Sequence, residues 1–187
     1  MRDTHQKFTW PTVSLHWIIA IAIIAMLAFG LYLEDMPRGP DKGQLIGLHK
    51  SVGILILMFA LVRVLWRYLN QLPKPLSTLT NWQQKLAKLT HWVLIIGTVL
   101  LPVSGILMSI GGGFGIGVFG FELVARSDDK NEMLSQVGHV LHGLGGKLLI
   151  LFVILHIVGA IKHQFIDKDG TLSRMLGIKV DLKENEK

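Results

Sequence analysis

Four long apolar stretches separated by polar connections set the pattern of this chain, over about residues 15–33, 45–66, 86–110 and 137–161. Each is close to the roughly 20 residues that a helix needs to cross a hydrocarbon core. In lipid every backbone N–H and C=O must be satisfied within its own segment, so the four stretches are expected as helices. The connections "EDMPRGPDKGQ" and "NQLPKPLSTLTNWQQ" are short, which makes neighbours antiparallel and predicts a four-helix bundle. Pro37, Pro40, Pro73 and Pro75 fall there, where they end helices rather than kink them. The third connection, "GGGFGIGVFGFELVARSDDKNEMLSQ", is longer and glycine-rich, and reads as a loop over the bundle mouth. The polar tail, 162–187, predicts a short interfacial helix followed by disorder. With no repeat and no second domain visible, residues 1–187 read as one membrane domain. The first stretch follows Arg2 and Lys7 and contains Ala28-Phe29-Gly30, so a signal peptide is the alternative there. Its length, and the histidine and tryptophan at its start, favour a span.

Composition agrees with membrane. The chain is 50% hydrophobic and 17% charged, against about 25% charged in an ordinary soluble domain. Cysteine is absent, which excludes disulfides, zinc–thiolate sites and iron–sulfur clusters built from this chain. The net charge of +6 does not point to nucleic acid, because the basic residues flank the spans instead of forming one patch. Arg2, Lys7, Arg67, Lys74, Lys85, Lys88 and the lysines and arginine of the tail lie on one side. Arg38, Lys42, Arg126 and Lys130, mixed with acids, lie on the other. The positive-inside rule then predicts that both termini of this multi-pass membrane protein are cytoplasmic. Trp10, Trp17, Trp66, Trp82 and Trp92 all fall near that cytoplasmic interface.

Histidine is the chemistry-bearing residue of the spans. His142 and His156 are fourteen residues apart, which on a straight helix is a rotation of about −40° and a rise of about 21 Å. They therefore face roughly the same way at two depths. His49 matches His142 near the external end, and His16 matches His156 near the cytoplasmic end. His139 is rotated by about 100° from His156 and is the poorer candidate. Two levels of paired imidazoles suit two stacked haems, each low-spin iron with both axial positions filled, as electron transfer requires. The spans hold almost no carboxylates, which argues against a zinc or di-iron site. A proton pathway built from histidines, and a haem-free bundle, are the competing readings. Arg63, fourteen residues after His49, is expected at the inner level, where a haem propionate would satisfy it; snorkelling to the headgroups is the alternative. Lys50 and Lys147 stand at the outer level. Gly53, Gly143, Gly145 and Gly146, near the outer ligands, either admit a porphyrin or pack helices closely.

The run from "SLHW" to "RML" resembles the bacterial di-haem cytochrome b561 family, grouped with the haem b subunits of nickel hydrogenases and formate dehydrogenases. The segments that carry the likeness are His16-Trp17, "HKSVGILILMFALVRVLWR", "LTHWVLIIGTVLLPVSGILM" and "LHIVGAIKHQFIDKDGTLSRML". The resemblance implies two haem b groups and the same pairing, His49 with His142 and His16 with His156. It is similar to superoxide oxidases, which implies oxidation of superoxide at the periplasmic face and reduction of ubiquinone. Lys50 and Lys147, with Arg38, Lys42, Arg126 and Lys130, would then guide the anion, diluted by Asp128, Asp129 and Glu132. His91, Lys162 and His163 would stand near the quinone as proton donors; ordinary interfacial residues are the plainer account of all three. The alternative function is a haem b membrane-anchor subunit that passes electrons from a periplasmic redox partner, a dehydrogenase or hydrogenase, to quinone.

Overall fold

The computed structural model describes residues 2–70, 73, 76 and 79–181. Lys74, Pro75, Lys183, Lys187 and the tail end expected to be disordered lie outside the described residues. Four helices carry the apolar stretches: α1 (Trp10–Asp35), α2 (Pro40–Asn70), α3 (Asn81–Gly111) and α4 (Glu132–Lys162). Each begins about five residues before its apolar stretch, because the polar flanks hold capping chemistry that hydropathy does not register. Asp3 reaches across to α1, accepting from the Thr9 backbone N–H at 2.6 Å and from the Thr12 hydroxyl at 2.7 Å. Pro40 opens α2 instead of closing α1, as the position with no N–H to lose allows. Thr80 and Gln83 form a capping box on α3, and the Asn131 side chain accepts from Leu134 N–H at the start of α4.

All four helices are long and apolar enough to cross a membrane, and little of any span is buried within the protein. Their apolar side chains mostly face outward, as lipid-facing helices require. The interior is narrow: Ile19 and Ile23 of α1, Ile56 of α2 and Leu149 of α4 form its buried centre, with Leu94 and Leu101 of α3 against it. Leu149 lies midway between His142 and His156, so this apolar plug separates the two histidine levels. The tightest seam joins α3 and α4. A Cβ at Gly138 would lie 2.4 Å from Met108 N, and one at Gly111 would lie 2.4 Å from Ser135 N. Small residues let these two backbones approach as no larger side chain would.

The long connection is not only a loop, as the sequence suggested. It contains an antiparallel hairpin, β1 (Ile116–Val118) and β2 (Phe121–Val124), with Val118 paired to Phe121. Phe119 and Gly120 form its two-residue turn, at φ of 47° and 90°, the pair of positive angles that matches strand twist. The hairpin is seated on α2: Ile116 is buried, and Phe119 N–H donates to Ser51 Oγ at 3.0 Å.

At the opposite end both termini meet. After α4 the chain widens into a π-helical turn (His163–Asp167), reverses at Lys168 and Gly170, and forms α5 (Thr171–Met175), the short helix expected in the tail. Trp17 Nε1 donates to the Met175 carbonyl at 2.7 Å, and Val180 N–H donates to the Gln6 carbonyl at 2.9 Å. Trp66 Nε1 donates to Thr12 Oγ1 at 2.8 Å, which fixes the end of α2 to the start of α1.

Candidate functional site

The bundle brings four of the six span histidines into two pairs. At the loop end the ring centres of His49 and His142 are 6.2 Å apart. At the terminal end those of His16 and His156 are 6.1 Å apart. All four rings are half-buried. The pairs combine three helices, with α4 serving both levels, as the fourteen-residue spacing predicts.

His142 is held firmly. Its Nδ1 donates to the Leu101 carbonyl at 2.9 Å, with Ser104 Oγ at 3.1 Å. A proton fixed on Nδ1 leaves the Nε2 lone pair free for a metal, the usual second-sphere device at histidine ligands. Gly105 makes room for the ring, because a Cβ there would stand 3.2 Å from His142 Cε1. His49 has Phe29 beside it, ring centres 5.6 Å apart, and its Nδ1 is buried with no partner among the described residues. Sequence reasoning missed Ser104, Gly105 and Gly30, whose absent Cβ would lie 3.6 Å from His49. The signal was present as small residues at the depth of the outer pair. Of the expected glycines, Gly53, Gly143 and Gly146 face open space, whereas Gly145 packs against Leu101.

The inner level holds a third imidazole. His91 of α3 has its ring centre 5.5 Å from that of His156, nearer than His16, and is exposed on the bundle surface. Arg63 reaches the same level, where Nη2 lies 3.2 Å from His16 Nδ1. A guanidinium only donates, so this contact makes His16 Nδ1 an acceptor. His139 stays outside both pairs, exposed, with Nδ1 3.4 Å from Met108 Sδ.

The two lysines at the outer level differ. Lys50 is half-buried under the hairpin, donating to Ser109 Oγ at 2.5 Å and standing 5.8 Å from the Phe114 ring centre. Lys147 is exposed and faces Glu34 at 3.8 Å. At the terminal end Lys162 and His163 belong to one network. Lys162 Nζ donates to both Asp167 oxygens at 2.7 and 2.6 Å. His163 Nδ1 is 2.6 Å from Asp169 Oδ2 and 3.2 Å from Asp167 Oδ2. Burial pushes the Asp169 carboxyl up, but the Thr171 N–H and hydroxyl and the His163 ring outweigh it and hold it below its usual range.

Comparison with known proteins gives this geometry a context. A family model described as prokaryotic cytochrome b561 matches residues 7–177. Cytochrome b561 homolog 2 of Escherichia coli (strain K12) is 33% identical over 183 residues, covering 94% of each chain. A probable superoxide oxidase CybB of Yersinia pestis is 26% identical over 176 residues, covering 92% of this chain and 97% of the relative. Cytochrome b562 of Cereibacter sphaeroides is 27% identical over 174 residues, covering 90% of this chain and 94% of the relative. With four membrane-spanning helices and a family match over nearly its whole length, the chain belongs to the prokaryotic cytochrome b561 family, multi-pass proteins of the bacterial inner membrane that transfer electrons through haem b.

Proposed function

We propose that the chain binds two haem b groups, one between His49 and His142 and one between His16 and His156, and acts as an oxidoreductase from superoxide to ubiquinone. The observation that carries the reading is the spacing of the two pairs, 6.2 and 6.1 Å between ring centres. A metal–imidazole bond of about 2 Å, plus about 1 Å to each ring centre, separates two axial rings by about 6 Å. Three further features fit. The Nδ1 proton of His142 is committed to Leu101, leaving Nε2 available. His49 Nδ1 is buried without a partner among the described residues, a cost of about 1–3 kcal/mol that a bound group reaching that atom would recover. Gly53, Gly143 and Gly146 leave open space close to the outer pair.

Held by His49 with His142 and by His16 with His156, haem would supply a one-electron couple. The protein residues provide the rest. Arg63 must exchange His16 Nδ1 for an anion when His16 coordinates through Nε2, and a propionate is such an anion. Lys50, fixed by Ser109, holds a cation near the outer pair that attracts a small anion, and exposed Lys147 adds to it less, beside Glu34. Both termini are cytoplasmic on the distribution of lysine and arginine. His91 presents an exposed ring at the inner level. At that end His163 Nδ1 stands against the carboxylates of Asp169 and Asp167, the second of which Lys162 also holds. Overall, two superoxide anions lose one electron each and leave as dioxygen, while one ubiquinone takes two electrons and two protons. The name of the Yersinia pestis relative supports the donor.

The test is a stopped-flow absorbance trace of the purified haem-loaded protein exposed to a superoxide pulse, with and without ubiquinone. The reading expects rapid reduction of the haem bands followed by reoxidation only when quinone is present. Bands that ignore superoxide would overturn the donor and assign the chain to electron transfer from another source.

A further inference from the structure

The two termini do more than meet. Residues 2–9 lie as a strap against the tail, held by Val180 N–H to the Gln6 carbonyl at 2.9 Å and by Arg174 Nη1 to the His5 carbonyl at 3.0 Å. Between strap, tail and the first turns of α1 opens a groove of about 650 Å³. Its rim carries Arg2, Lys7 and Lys179, and its apolar wall includes Trp10 and Val13. No carboxylate lies within 4 Å of these three cations among the described residues. Asp3 is nearby in sequence, but both its oxygens are engaged by Thr9 and Thr12. Behind the groove, Arg174 is only 4% exposed, stacks 4.5 Å from the ring centre of Phe8, and has its Nε buried without a partner. Phe8 itself lines the groove.

We propose that this groove binds the phosphate headgroup of an anionic phospholipid. The occupant has to be negative, because the three cations Arg2, Lys7 and Lys179 line the opening. A neutral quinone gives such charges nothing to do. The occupant also has to be amphiphilic. Trp10 is 70% exposed at the first turn of a helix that enters the bilayer, so one side of the groove is continuous with lipid. Aromatic residues belong at that depth, and basic pockets there attract anionic headgroups. Free phosphate shares the charge but has no use for the apolar wall. The groove has this chemistry whichever face of the membrane the termini occupy and whatever the redox substrates are.

The test is native mass spectrometry of the full-length haem-loaded protein in detergent, titrated with phosphatidylglycerol, with phosphatidylcholine, and with inorganic phosphate as competitor. Phosphatidylglycerol should bind at least about tenfold more tightly than phosphatidylcholine, and millimolar phosphate should not displace it. Each surface cation contributes about fivefold, so Lys7→Gln with Lys179→Gln should weaken phosphatidylglycerol about 25-fold. The control is Lys85→Gln with Lys88→Gln, which removes the same charge from a two-lysine patch at the start of α3 at the same end and should leave binding unchanged. Equal affinity for the two lipids, equal loss in the control, or displacement by phosphate would each overturn the proposal. Arg2 is exposed, so Arg2→Gln alone, expected to lose about fivefold, decides the matter if the double variant does not assemble.

Discussion

At His142 one ring nitrogen is committed by a backbone carbonyl, and at His16 the equivalent atom is taken by an arginine. That difference was not legible in the sequence, which placed the two residues at opposite ends of the bundle on different helices and no further. Depth follows from residue number, but rotation about each helix axis follows from packing. The same reason hid the closeness of His91 to His156, although its depth was readable. Asp169 illustrates how local chemistry becomes a prediction. Its carboxyl is held below the usual range, so its bonds to Thr171 and His163 stabilise the folded tail above the ordinary carboxylate pKa of about 4. That contribution is lost as pH falls through the lowered value. Asp169→Asn should therefore raise amide exchange at Thr171 and along α5 at neutral pH. The native protein should show the same rise only in acid, well below pH 4.

At the scale of elements, the helices were readable because lipid enforces long apolar runs, whereas their ends depend on polar caps. Asp3, from outside α1, supplies its cap across six residues, a contact that hydropathy does not carry. The hairpin was missed because Phe119-Gly120 is not the usual Asn-Gly or Asp-Gly turn pair, and a glycine-rich run from Gly111 to Gly117 leads into it. The α3–α4 seam yields a direct test. Gly138 stands one turn from His142, and a Cβ there would meet backbone atoms of Met108, which cannot swing aside. Gly138→Ala should part the two helices, cost about 1–3 kcal/mol in thermal unfolding, and disturb the outer pair before the inner one. Gly43→Ala, with nothing within 4 Å of the added Cβ, should be tolerated.

For the whole molecule, the bundle arranges two polar levels around one dry centre. Ile19, Ile23, Ile56 and Leu149 fill the space between the histidine pairs, and the hairpin and the joined termini close the two ends. The division into four spans and two levels was legible because periodicity along a single helix, α4, encodes both. The joined termini were not, since they depend on contacts over more than 150 residues, such as Trp17 with Met175. The central claim is that α4 supplies one ligand to each of two haems, and haem-to-protein stoichiometry tests it most directly. The measurement compares the purified native chain with His142→Ala and with His156→Ala, by pyridine haemochrome absorbance against quantitative amino-acid analysis. Two haems per native chain and one in each variant are expected, with a different reduction midpoint surviving in each. A native ratio of one, or variants that both keep two, would contradict it.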